Sequence, residues 1–317
     1  MNCLCCGKPL TGVTDDTVFW HKTCVRKFFG TAFFPHIEID KKTLELLAIE
    51  STGKGLTVPG VQKKLSLHLI SDNKKPRLTI VNYPTGYILK PQVEDFENLP
   101  EAEWLVMNMA DICGIKTVPH ALIKANDGFS YITKRVDRAF GKDSVKMLGM
   151  EDFCQLDGRL TADKYKGSYE RCAKIIEKYS SRAMLDLSEL FIRLVFCFVV
   201  GNSDMHLKNF SLIETDEGSG SYVLSPAYDL LPVNPVMPED TEEFALTMNG
   251  KKRNFSKNDF FTFAENSGIS KAAAIKMINS ILSKETAFTE MIETSLLTNG
   301  QKEQFLLLVR ERCERLR

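Results

Sequence analysis

The stretch "GNSDMHLKNFSL", residues 201–212, decides the interpretation of this chain because polar residues crowd together directly after a long apolar run. The preceding segment, "LFIRLVFCFVV" at 190–200, has the composition of a buried helix. The four residues Asp204, His206, Lys208 and Asn209 then follow within six positions, and a core helix has no use for them. Carboxylate and amide oxygens beside a cation are the groups that handle phosphate and a hard metal ion. The stretch therefore predicts a site for phosphate and metal.

Asp204 and Asn209 are spaced D-x4-N, and Asp229 follows after a predicted short strand. In phosphoryl transfer a carboxylate orients the acceptor hydroxyl and takes its proton, which is the role expected of Asp204. Asn209 and Asp229 would hold Mg²⁺, and Lys208 would neutralise charge on the transferred group. His206 is expected to pack beneath the loop or to hydrogen-bond a backbone carbonyl. It is a candidate for contact with the nucleotide, and no chemical step is assigned to it.

The first half of the chain offers the parts that position ATP phosphates. Lys90 ends a predicted strand, and the helix that follows carries Glu101 and Glu103, so a Lys–Glu pair is expected between them. The segment "TVPGVQKKLSL" at 57–67 would cover the phosphates, although it lacks the pattern G-x-G-x-x-G. The candidates for phosphate contact in this loop are Gly60, Gln62 and Lys64.

Composition excludes several classes of protein. The 317 residues are 44% hydrophobic and 26% charged, which is ordinary for globular proteins. The 41 basic residues balance the 41 acidic ones, so no global basic field favours direct nucleic-acid binding. The longest apolar stretch, 194–200, is far below the ~20 residues that span a bilayer, and the N-terminus lacks a signal-peptide core. A soluble, cytoplasmic protein is expected, without membrane contact.

Cysteines crowd the N-terminus, where Cys3-x2-Cys6 and His21-x2-Cys24 form two pairs at zinc-knuckle spacing. Two such pairs can hold Zn²⁺ and stabilise a segment too small for its own core. The alternative is a reduced tip whose cysteines pack against aromatic side chains, and Cys5 is a possible substitute ligand. The other cysteines are scattered singly and are typical of buried thiols in a reducing cytoplasm.

The pattern of apolar residues predicts an α+β protein with two lobes, a sheet-bearing first half and a helical second half. Expected divisions are a Cys/His-rich element at 1–30, a sheet-bearing lobe at 31–140 and a helical lobe at 141–317. A helix is expected at 40–49, a long helix before Gly114, and a hairpin around 126–128. Further helices are expected at 150–156, 168–179, 186–200, 257–265, 270–283 and 300–316.

Eight short strings occur in the order typical of the HipA-like serine/threonine kinases, the toxins of bacterial toxin–antitoxin systems. They are "VPGVQKKLSL", "YILKP", "AEWLVMNMADICGI", "TKRVDR", "EDFCQL", "GNSDMHLKNFSL", "SPAYDLLP" and "LTMNGKK". The similarity runs from about residue 55 to the C-terminus, and "GNSDMHLKNFS" is the most specific string. The resemblance implies a protein-kinase-like fold, with a small sheet-bearing lobe and a mostly helical C-terminal lobe.

The resemblance also implies roles for single residues. Asp204 corresponds to the catalytic aspartate, and Asn209 and Asp229 correspond to the Mg²⁺ ligands. Lys90 corresponds to the ATP-phosphate lysine, with Lys64 as a second lysine from the loop. The segment from Lys134 to Val136 corresponds to the hinge whose backbone binds adenine, although family members carry Glu and Phe where this chain has Lys134 and Val136.

Two further departures concern regulation and length. Family members autophosphorylate a serine in the phosphate loop, and Thr57 stands at the corresponding position, with Ser51 and Thr52 as fallback acceptors. Full-length members begin with an extra subdomain, whereas only about 50 residues precede the loop here. This layout resembles the HipT branch, which implies a HipS-like small protein and a HipB-like DNA-binding antitoxin as partners.

The resemblance implies an ATP- and Mg²⁺-dependent protein kinase whose substrate is an aminoacyl-tRNA synthetase and whose action stops translation. Residues alone indicate phosphoryl transfer, and the toxin role depends on the resemblance. Two alternatives remain open. One is a pseudokinase-like module that binds a partner through the Cys/His element, and the other is a kinase that phosphorylates a small molecule.

Overall fold

The computed structural model describes residues 2–10, 19–37, 64–70, 75–79, 85–125, 128–140, 145–237 and 239–317. The chain divides into two compact units. The first consists of Met1–Trp104 and Pro119–Arg135, and the second of Leu105–Val118 and Val136–Arg317. The three-part division expected from the sequence stays a prediction.

The first unit is built on a six-stranded sheet. In chain order the strands are β1 (His36–Ile37), β2 (Leu65–Ile70), β3 (Arg77–Thr79), β4 (Tyr87–Lys90), β5 (His120–Ala125) and β6 (Gly128–Lys134). They lie in the order β1-β3-β2-β4-β6-β5, and only β1 and β3 pair in parallel. The expected hairpin is confirmed, since Ala125 lies opposite Gly128 across β5 and β6.

Alternating side chains explain how this sheet forms. Leu65 and Leu67 of β2 are buried while Ser66 between them is exposed, which is the period of a strand with one covered face. Tyr87 on β4 packs beside Phe28 and Phe29 of helix α1 (Lys22–Phe29), with ring centroids 5.9 and 5.5 Å away. Aromatic packing of this kind contributes much of the core of a small unit.

The second unit is mostly helical. Its helices are α3 (Phe153–Leu156), α4 (Tyr169–Tyr179), α5 (Ala183–Val199), α6 (Val233–Val236), α7 (Lys257–Asn266), α8 (Lys271–Leu282), α9 (Glu285–Glu293) and α10 (Asn299–Leu316). Helix α2 (Leu99–Ile112) begins in the first unit and ends in the second. Five short strands complete the unit: β7 (Arg138–Phe140), β8 (Val145–Met147), β9 (Met150–Asp152), β10 (Ser211–Glu214) and β11 (Tyr222–Leu224).

Helix α5 is the centre of the second unit. Every residue from Leu194 to Val199 is buried, and the helix packs against α4, α8 and α10. A helix that is apolar on all sides belongs inside a core, because no face of it can be solvated. The end of α5 is therefore held firmly by its packing, and the polar stretch at 201–212 follows directly.

One expected helix is partly wrong. Residues 150–152 form strand β9, which pairs with β10 so that Asp152 lies opposite Ser211, and only 153–156 are helical. The pairing with a strand some 60 residues away overrides the local pattern. Helix α9 was not expected from the sequence, and the helix expected at 40–49 lies outside the described residues. Within the described ranges, no helix has both the length and the apolar character needed to cross a membrane.

Candidate active site

The turn after α5 requires glycine. Gly201 has a φ of 68°, in the left-handed region that other residues adopt only with strain. A Cβ atom here would lie 2.8 Å from Leu308 Cδ2 and 3.1 Å from Asn234 Oδ1. The chain can therefore leave the helix in this direction only because residue 201 has no side chain.

Asn202 ties the loop to the helix. It is fully buried, and its backbone N–H donates to the carbonyl oxygen of Cys197 at 2.9 Å. Its side-chain Oδ1 accepts a hydrogen bond from the backbone N–H of Asp204 at 3.2 Å. Asp204 is thus positioned by an amide that the end of α5 holds, a contact that the sequence did not reveal.

The loop from Asp204 to Asn209 closes on itself. The carbonyl oxygen of Asp204 accepts from the backbone N–H of His206 at 2.8 Å and from Nδ2 of Asn209 at 3.2 Å. Asn209 is 4% exposed and lies in a short 3-10 turn, Leu207–Asn209. Since the amide nitrogen of Asn209 is bonded to the main chain, its oxygen is the atom left to act as a ligand.

Two tyrosines, the buried Tyr169 and the half-buried Tyr228, support this loop. The hydroxyl of Tyr169 donates to the carbonyl oxygen of Met205 at 3.0 Å, and that of Tyr228 donates to the carbonyl oxygen of Lys208 at 3.0 Å. Tyr228 also shares a 2.6 Å hydrogen bond with the hydroxyl of Ser211. Because these bonds go to backbone atoms, they fix the course of the chain and leave the side chains of the loop for chemistry.

Lys208 is paired within the unit. Its Nζ lies 2.5 Å from Oδ2 of Asp152 on β9, and its side chain is 33% exposed. Asp152 also caps helix α3 by accepting the backbone N–H of Gln155. Asp152 was missed at the sequence level, since the contact depends on the pairing of β9 with β10.

Asp229 occupies a strained position. Its φ is 60°, a region that costs a non-glycine residue on the order of 1 kcal/mol. Two positions earlier, Ala227 is anchored by two main-chain hydrogen bonds. Its N–H donates to the carbonyl oxygen of Lys116 at 2.7 Å, and its carbonyl oxygen accepts from the N–H of Val118 at 2.9 Å. Strain that the surrounding structure maintains is typical of functional positions.

The charges of Asp204 and Asp229 both act on the hydroxyl of Tyr165. Burial raises the pKa of the Tyr165 hydroxyl, and the carboxylates of Asp204, Asp240 and Asp229 raise it further. The hydroxyl itself donates to Oδ1 of Asp204 at 2.8 Å. The arrangement can therefore accept a hydroxyl proton at Asp204 and offer carboxylate and amide oxygens to a cation nearby. No motif in the sequence marked Tyr165.

In the first unit, Lys90 and Glu103 form the expected ion pair. Lys90 Nζ lies 2.5 Å from Glu103 Oε1 and 5.2 Å from the ring centre of Tyr131. Both residues are buried, being 3% and 1% exposed. The pair is present, while its contact with ATP phosphates stays a prediction.

The segment expected to act as the hinge begins at the end of β6. The backbone N–H of Lys134 donates to the carbonyl oxygen of Pro119, and that of Arg135 to the carbonyl oxygen of Gly86, each at 2.9 Å. Burial lowers the pKa of the Lys134 ammonium. Of the expected phosphate loop, Lys64 is described and exposed, whereas Thr57, Gly60 and Gln62 lie outside the described residues.

The Cys/His element forms a compact cluster. The sulfur atoms of Cys3, Cys6 and Cys24 and a ring nitrogen of His21 all lie within 4.8 Å of one another. His21 Nδ1 is 3.5 Å from Cys6 Sγ and 3.8 Å from Cys24 Sγ, while its Nε2 faces the carbonyl oxygen of Pro9 at 3.1 Å. These four residues could hold a metal ion.

Comparison with known proteins gives a family and a set of relatives. A family model described as the HipA-like C-terminal domain matches residues 56–288. Two proteins of Sinorhizobium fredii, named "Putative kinase Y4mE" and "Putative kinase Y4dM", are 31% and 32% identical over 225 and 232 residues. The matches cover 68% and 69% of this chain but 52% and 55% of those proteins, so the chain spans about half their length. A Haemophilus influenzae protein named "Putative kinase" is 27% identical over 290 residues, covering 82% of this chain and 81% of that protein.

Two solved structures share the fold. HipA of Shewanella oneidensis, solved with HipB and its operator DNA, has a TM-score of 0.69 at 20% identity, covering 82% of this chain and 65% of that chain. The proinflammatory kinase CtkA of Helicobacter pylori has a TM-score of 0.55 at 15% identity, covering 75% and 87%. The expected protein-kinase-like α+β fold, with a sheet-bearing part and a mostly helical part, is confirmed. Because the family match spans well over half of the sequence and includes Asp204, Asn209 and Asp229, the chain belongs to the family of the HipA-like C-terminal domain.

Proposed function

We propose that this chain is an ATP- and Mg²⁺-dependent serine/threonine protein kinase. The observation that carries the proposal is the loop that holds Asp204 and Asn209 through hydrogen bonds to the main chain and to the buried Asn202. In phosphoryl transfer by kinases the protein does little covalent chemistry. Catalysis therefore depends mainly on carboxylates and amides that position the reactants and stabilise charge. The relatives named as kinases support the same class of reaction.

Asp204 would act as the base. Its carboxylate would orient the acceptor hydroxyl and take its proton as the hydroxyl oxygen bonds to the γ-phosphorus of ATP and the bond to the β-phosphate oxygen breaks. The products are a phosphorylated hydroxyl and ADP. A hydrogen bond from the Tyr165 hydroxyl already reaches Asp204 Oδ1, which supports the view that this oxygen accepts hydroxyl protons.

Asn209 and Asp229 would hold Mg²⁺. The donor set fits the ion, because amide and carboxylate oxygens are hard ligands and the Asn209 nitrogen is already bonded to the Asp204 carbonyl oxygen. When bound, Mg²⁺ neutralises charge on the phosphates of ATP and on the transferred group. Asn209 is held in place by its burial and its backbone bond to His206, so its oxygen would need little reorganisation.

Lys90 would bind ATP phosphates while Glu103 positions its ammonium group. The 2.5 Å contact between the two side chains supports this assignment. The remaining residues proposed to contact the phosphates are those of the loop, Gly60, Gln62 and Lys64.

The segment from Lys134 to Val136 would bind adenine through its backbone. Since the N–H groups of Lys134 and Arg135 already donate within the chain, adenine would be bound by other backbone groups of the segment. Backbone contacts of this kind do not depend on the identity of the side chains at 134 and 136, where the chain departs from the family.

Lys208 would neutralise charge on the transferred phosphoryl group, and its pairing with Asp152 holds the ammonium near the loop. His206 would pack beside the nucleotide without a proton-transfer role. Its ring contacts that of Tyr165 at a centroid distance of 5.1 Å, which supports a packing function.

The cellular role that fits this family is that of a toxin in a bacterial toxin–antitoxin system. The Shewanella HipA structure contains HipB and operator DNA, which supports a HipB-like antitoxin as partner here. A HipS-like small protein would be a second partner. The proposed substrate is an aminoacyl-tRNA synthetase, whose phosphorylation would stop translation in the cytoplasm.

Autophosphorylation in the phosphate loop would regulate the enzyme. Thr57, which lies outside the described residues, is the proposed acceptor, with Ser51 and Thr52 as the next candidates. A phosphate that carries nearly two negative charges beside the phosphates of ATP would repel them, which accounts for inhibition in physical terms.

We also propose a structural Zn²⁺ at Cys3, Cys6, His21 and Cys24. Tetrahedral coordination at ordinary bond lengths separates a sulfur from a nitrogen ligand by about 3.6 Å, and the distances from His21 Nδ1 to Cys6 and Cys24 are 3.5 and 3.8 Å. The contact of Nε2 with the Pro9 carbonyl oxygen fixes the tautomer in which Nδ1 is free to bind a metal.

The zinc element would fasten the N-terminal segment to the open edge of the sheet. The carbonyl oxygen of Leu4 accepts from the N–H of Leu122 on edge strand β5 at 2.8 Å, and Trp20 Nε1 donates to the Leu122 carbonyl oxygen at 3.0 Å. These bonds satisfy backbone groups that an edge strand otherwise leaves open. The zinc would therefore act in stability and not in phosphoryl transfer.

The proposed function is tested by the Mg²⁺ dependence of ATP binding. Isothermal titration calorimetry on the purified chain should give a higher ATP affinity with Mg²⁺ than with EDTA. Asp229→Ala and Asn209→Ala should lose most of that increment, whereas Asp216→Ala, which changes an exposed carboxylate, should keep it. Equal ATP affinity with and without Mg²⁺ in the wild type would favour the partner-binding pseudokinase.

A further inference from the structure

Tyr165 makes the contact that a substrate hydroxyl would have to make. We propose that its side chain fills the acceptor-hydroxyl position on Asp204 and must withdraw before a seryl or threonyl hydroxyl of a protein substrate can enter. The inference rests on the proposed role of Asp204 as the base. The observation that supports it is the 2.8 Å hydrogen bond from the Tyr165 hydroxyl to Oδ1 of Asp204.

The geometry is that of a bound acceptor. A general base must lie within about 2.6–3.2 Å of the oxygen whose proton it takes, and the Tyr165 oxygen meets that requirement. The phenol O–H and a seryl O–H are the same type of donor. While Tyr165 is in place, the Oδ1 atom of Asp204 is already used by another hydroxyl.

Tyr165 differs from the two tyrosines that support the loop. Tyr169 and Tyr228 donate to backbone carbonyl oxygens, and such bonds fix the fold. Tyr165 donates to a side chain, and 41% of its surface is exposed. Its ring rests edge-on against His206 and below the Lys164 ammonium, which lies 4.9 Å from the ring centre. A side chain held on one open face can rotate away without unfolding its surroundings.

The negative charges around Tyr165 favour a blocking role for its hydroxyl over a role as phosphate acceptor. The carboxylates of Asp204, Asp240 and Asp229 all act on the Tyr165 hydroxyl. They keep the phenol protonated and donating, and they would repel a phosphate group on the same oxygen. Tyr165 therefore blocks the acceptor position and is not itself consumed by the reaction.

The size of the effect follows from the bond that must be broken. A hydrogen bond to a charged group corresponds to roughly 10- to 100-fold in an equilibrium constant. Since a blocked enzyme binds its substrate only in the minor open state, the apparent affinity for a protein acceptor is reduced by about that factor. Removing the Tyr165 hydroxyl should restore the affinity for the protein acceptor.

The test uses Tyr165→Phe with Tyr179→Phe as the matched control. Tyr179 is 40% exposed and lies beneath the ammonium of Lys178, and among the described residues its hydroxyl makes no hydrogen bond. Initial rates are measured with Mg²⁺, ATP and dephosphorylated casein as a protein that bears seryl hydroxyls. ATP hydrolysis without casein is measured in parallel, because water is then the acceptor.

For Tyr165→Phe we expect the KM for casein to fall by about 10-fold or more, with kcat unchanged, and ATP hydrolysis to rise. Tyr179→Phe should behave as the wild type, and thermal unfolding should be the same in all three. A lower kcat at unchanged KM would overturn the proposal, because Tyr165 would then position the base. Phosphate found on Tyr165 by mass spectrometry would overturn it as well.

Asp204→Asn separates this inference from the function on which it rests. Transfer that persists in Asp204→Asn, or no transfer in the wild type and in Tyr165→Phe alike, would refute the kinase assignment and the block together. Transfer that Asp204→Asn abolishes and Tyr165→Phe leaves unaltered would refute the block alone. Transfer seen only in Tyr165→Phe would support the block in its strongest form.

Discussion

Lys90 Nζ lies 2.5 Å from Glu103 Oε1, and the two side chains are only 4% and 2% exposed. The contact joins the end of β4 to the first half of α2. Removing two charges from water is costly, and the cost is offset only while each charge has its partner. Such a pair fixes the position of an ammonium group, which is what binding of ATP phosphates requires.

Breaking the pair from one side should therefore destabilise the fold strongly. We expect Lys90→Met to lower the free energy of unfolding by about 3–5 kcal/mol, because Glu103 is left as an uncompensated buried charge. The double variant Lys90→Met/Glu103→Leu should recover most of that loss. Urea unfolding of the wild type, Lys90→Met, Glu103→Leu and the double variant measures this. Lys146→Met, which breaks an exposed pair, is a control that should change little. Simple addition of the two single losses would contradict the account.

Gly201 offers a test of how the catalytic loop is held. Gly201→Ala should destabilise by about 2–4 kcal/mol, since a left-handed φ and overpacking against Leu308 act together. Gly218→Ala is the matched control, because Gly218 has a φ of 72° but no atom within 4 Å of a built Cβ. Its cost should be about 1–2 kcal/mol. Equal losses of thermal stability in the two variants would show that the contact with Leu308 is unimportant.

The zinc proposal predicts one metal ion per chain. Inductively coupled plasma mass spectrometry should find zinc in protein purified without chelators. EDTA should lower the Tm of this protein, because the N-terminal segment loses its anchor on β5. Cys24→Ser should lose the metal, while Cys5→Ser should keep it, since Cys5 is not among the four clustered ligands. Metal-free protein with an unchanged Tm would rule out a structural role.

Glu101 predicts a pH dependence of stability. Burial raises the pKa of its carboxyl from 4.5 to about 7, so the folded chain binds the proton more tightly than the unfolded chain. The resulting stabilisation is complete below about pH 4.5 and is lost as the pH rises through about 7. Glu101→Gln should therefore exceed the wild type in stability at pH 8, by an amount on the order of 2 kcal/mol, and lose the advantage below pH 5.

The comparison is made by urea unfolding at each pH, with Glu94→Gln as a variant at an exposed carboxylate. An advantage of Glu101→Gln that stays constant from pH 5 to pH 8 would mean that the Glu101 carboxyl does not titrate in this range.

The parts of the site that could be predicted are those that depend on residues close together in the sequence. Residues 204–209 form one loop because they follow a helix whose last six residues, 194–199, are all apolar, and both features are visible in the sequence. The pair of Lys90 and Glu103 was predictable for a similar reason, since a strand and the next helix are neighbours in the chain. The cysteine cluster followed from ligand spacing alone.

The parts that could not be predicted depend on contacts between distant residues. Strand β9 has only three residues and exists because β10 pairs with it, which also brings Asp152 to Lys208. Tyr165 lies 39 positions before Asp204 in a polar loop, and nothing local marks it as a partner of the base. Asn202 could not be predicted because its side chain accepts a hydrogen bond from the backbone N–H of Asp204, a contact that no sequence motif marks.

The central claim is that Asp204 acts as the base while a phosphoryl group passes from ATP to a protein hydroxyl. The most direct measurement is incubation of wild type and Asp204→Asn with γ-labelled ATP and Mg²⁺, followed by mapping of the labelled residue. We predict label in the wild type, on Thr57 or a neighbouring hydroxyl of the phosphate loop, and none in Asp204→Asn. Equal labelling of wild type and Asp204→Asn, or no labelling of either the wild type or Tyr165→Phe when both bind Mg²⁺ and ATP and casein is present, would contradict the account.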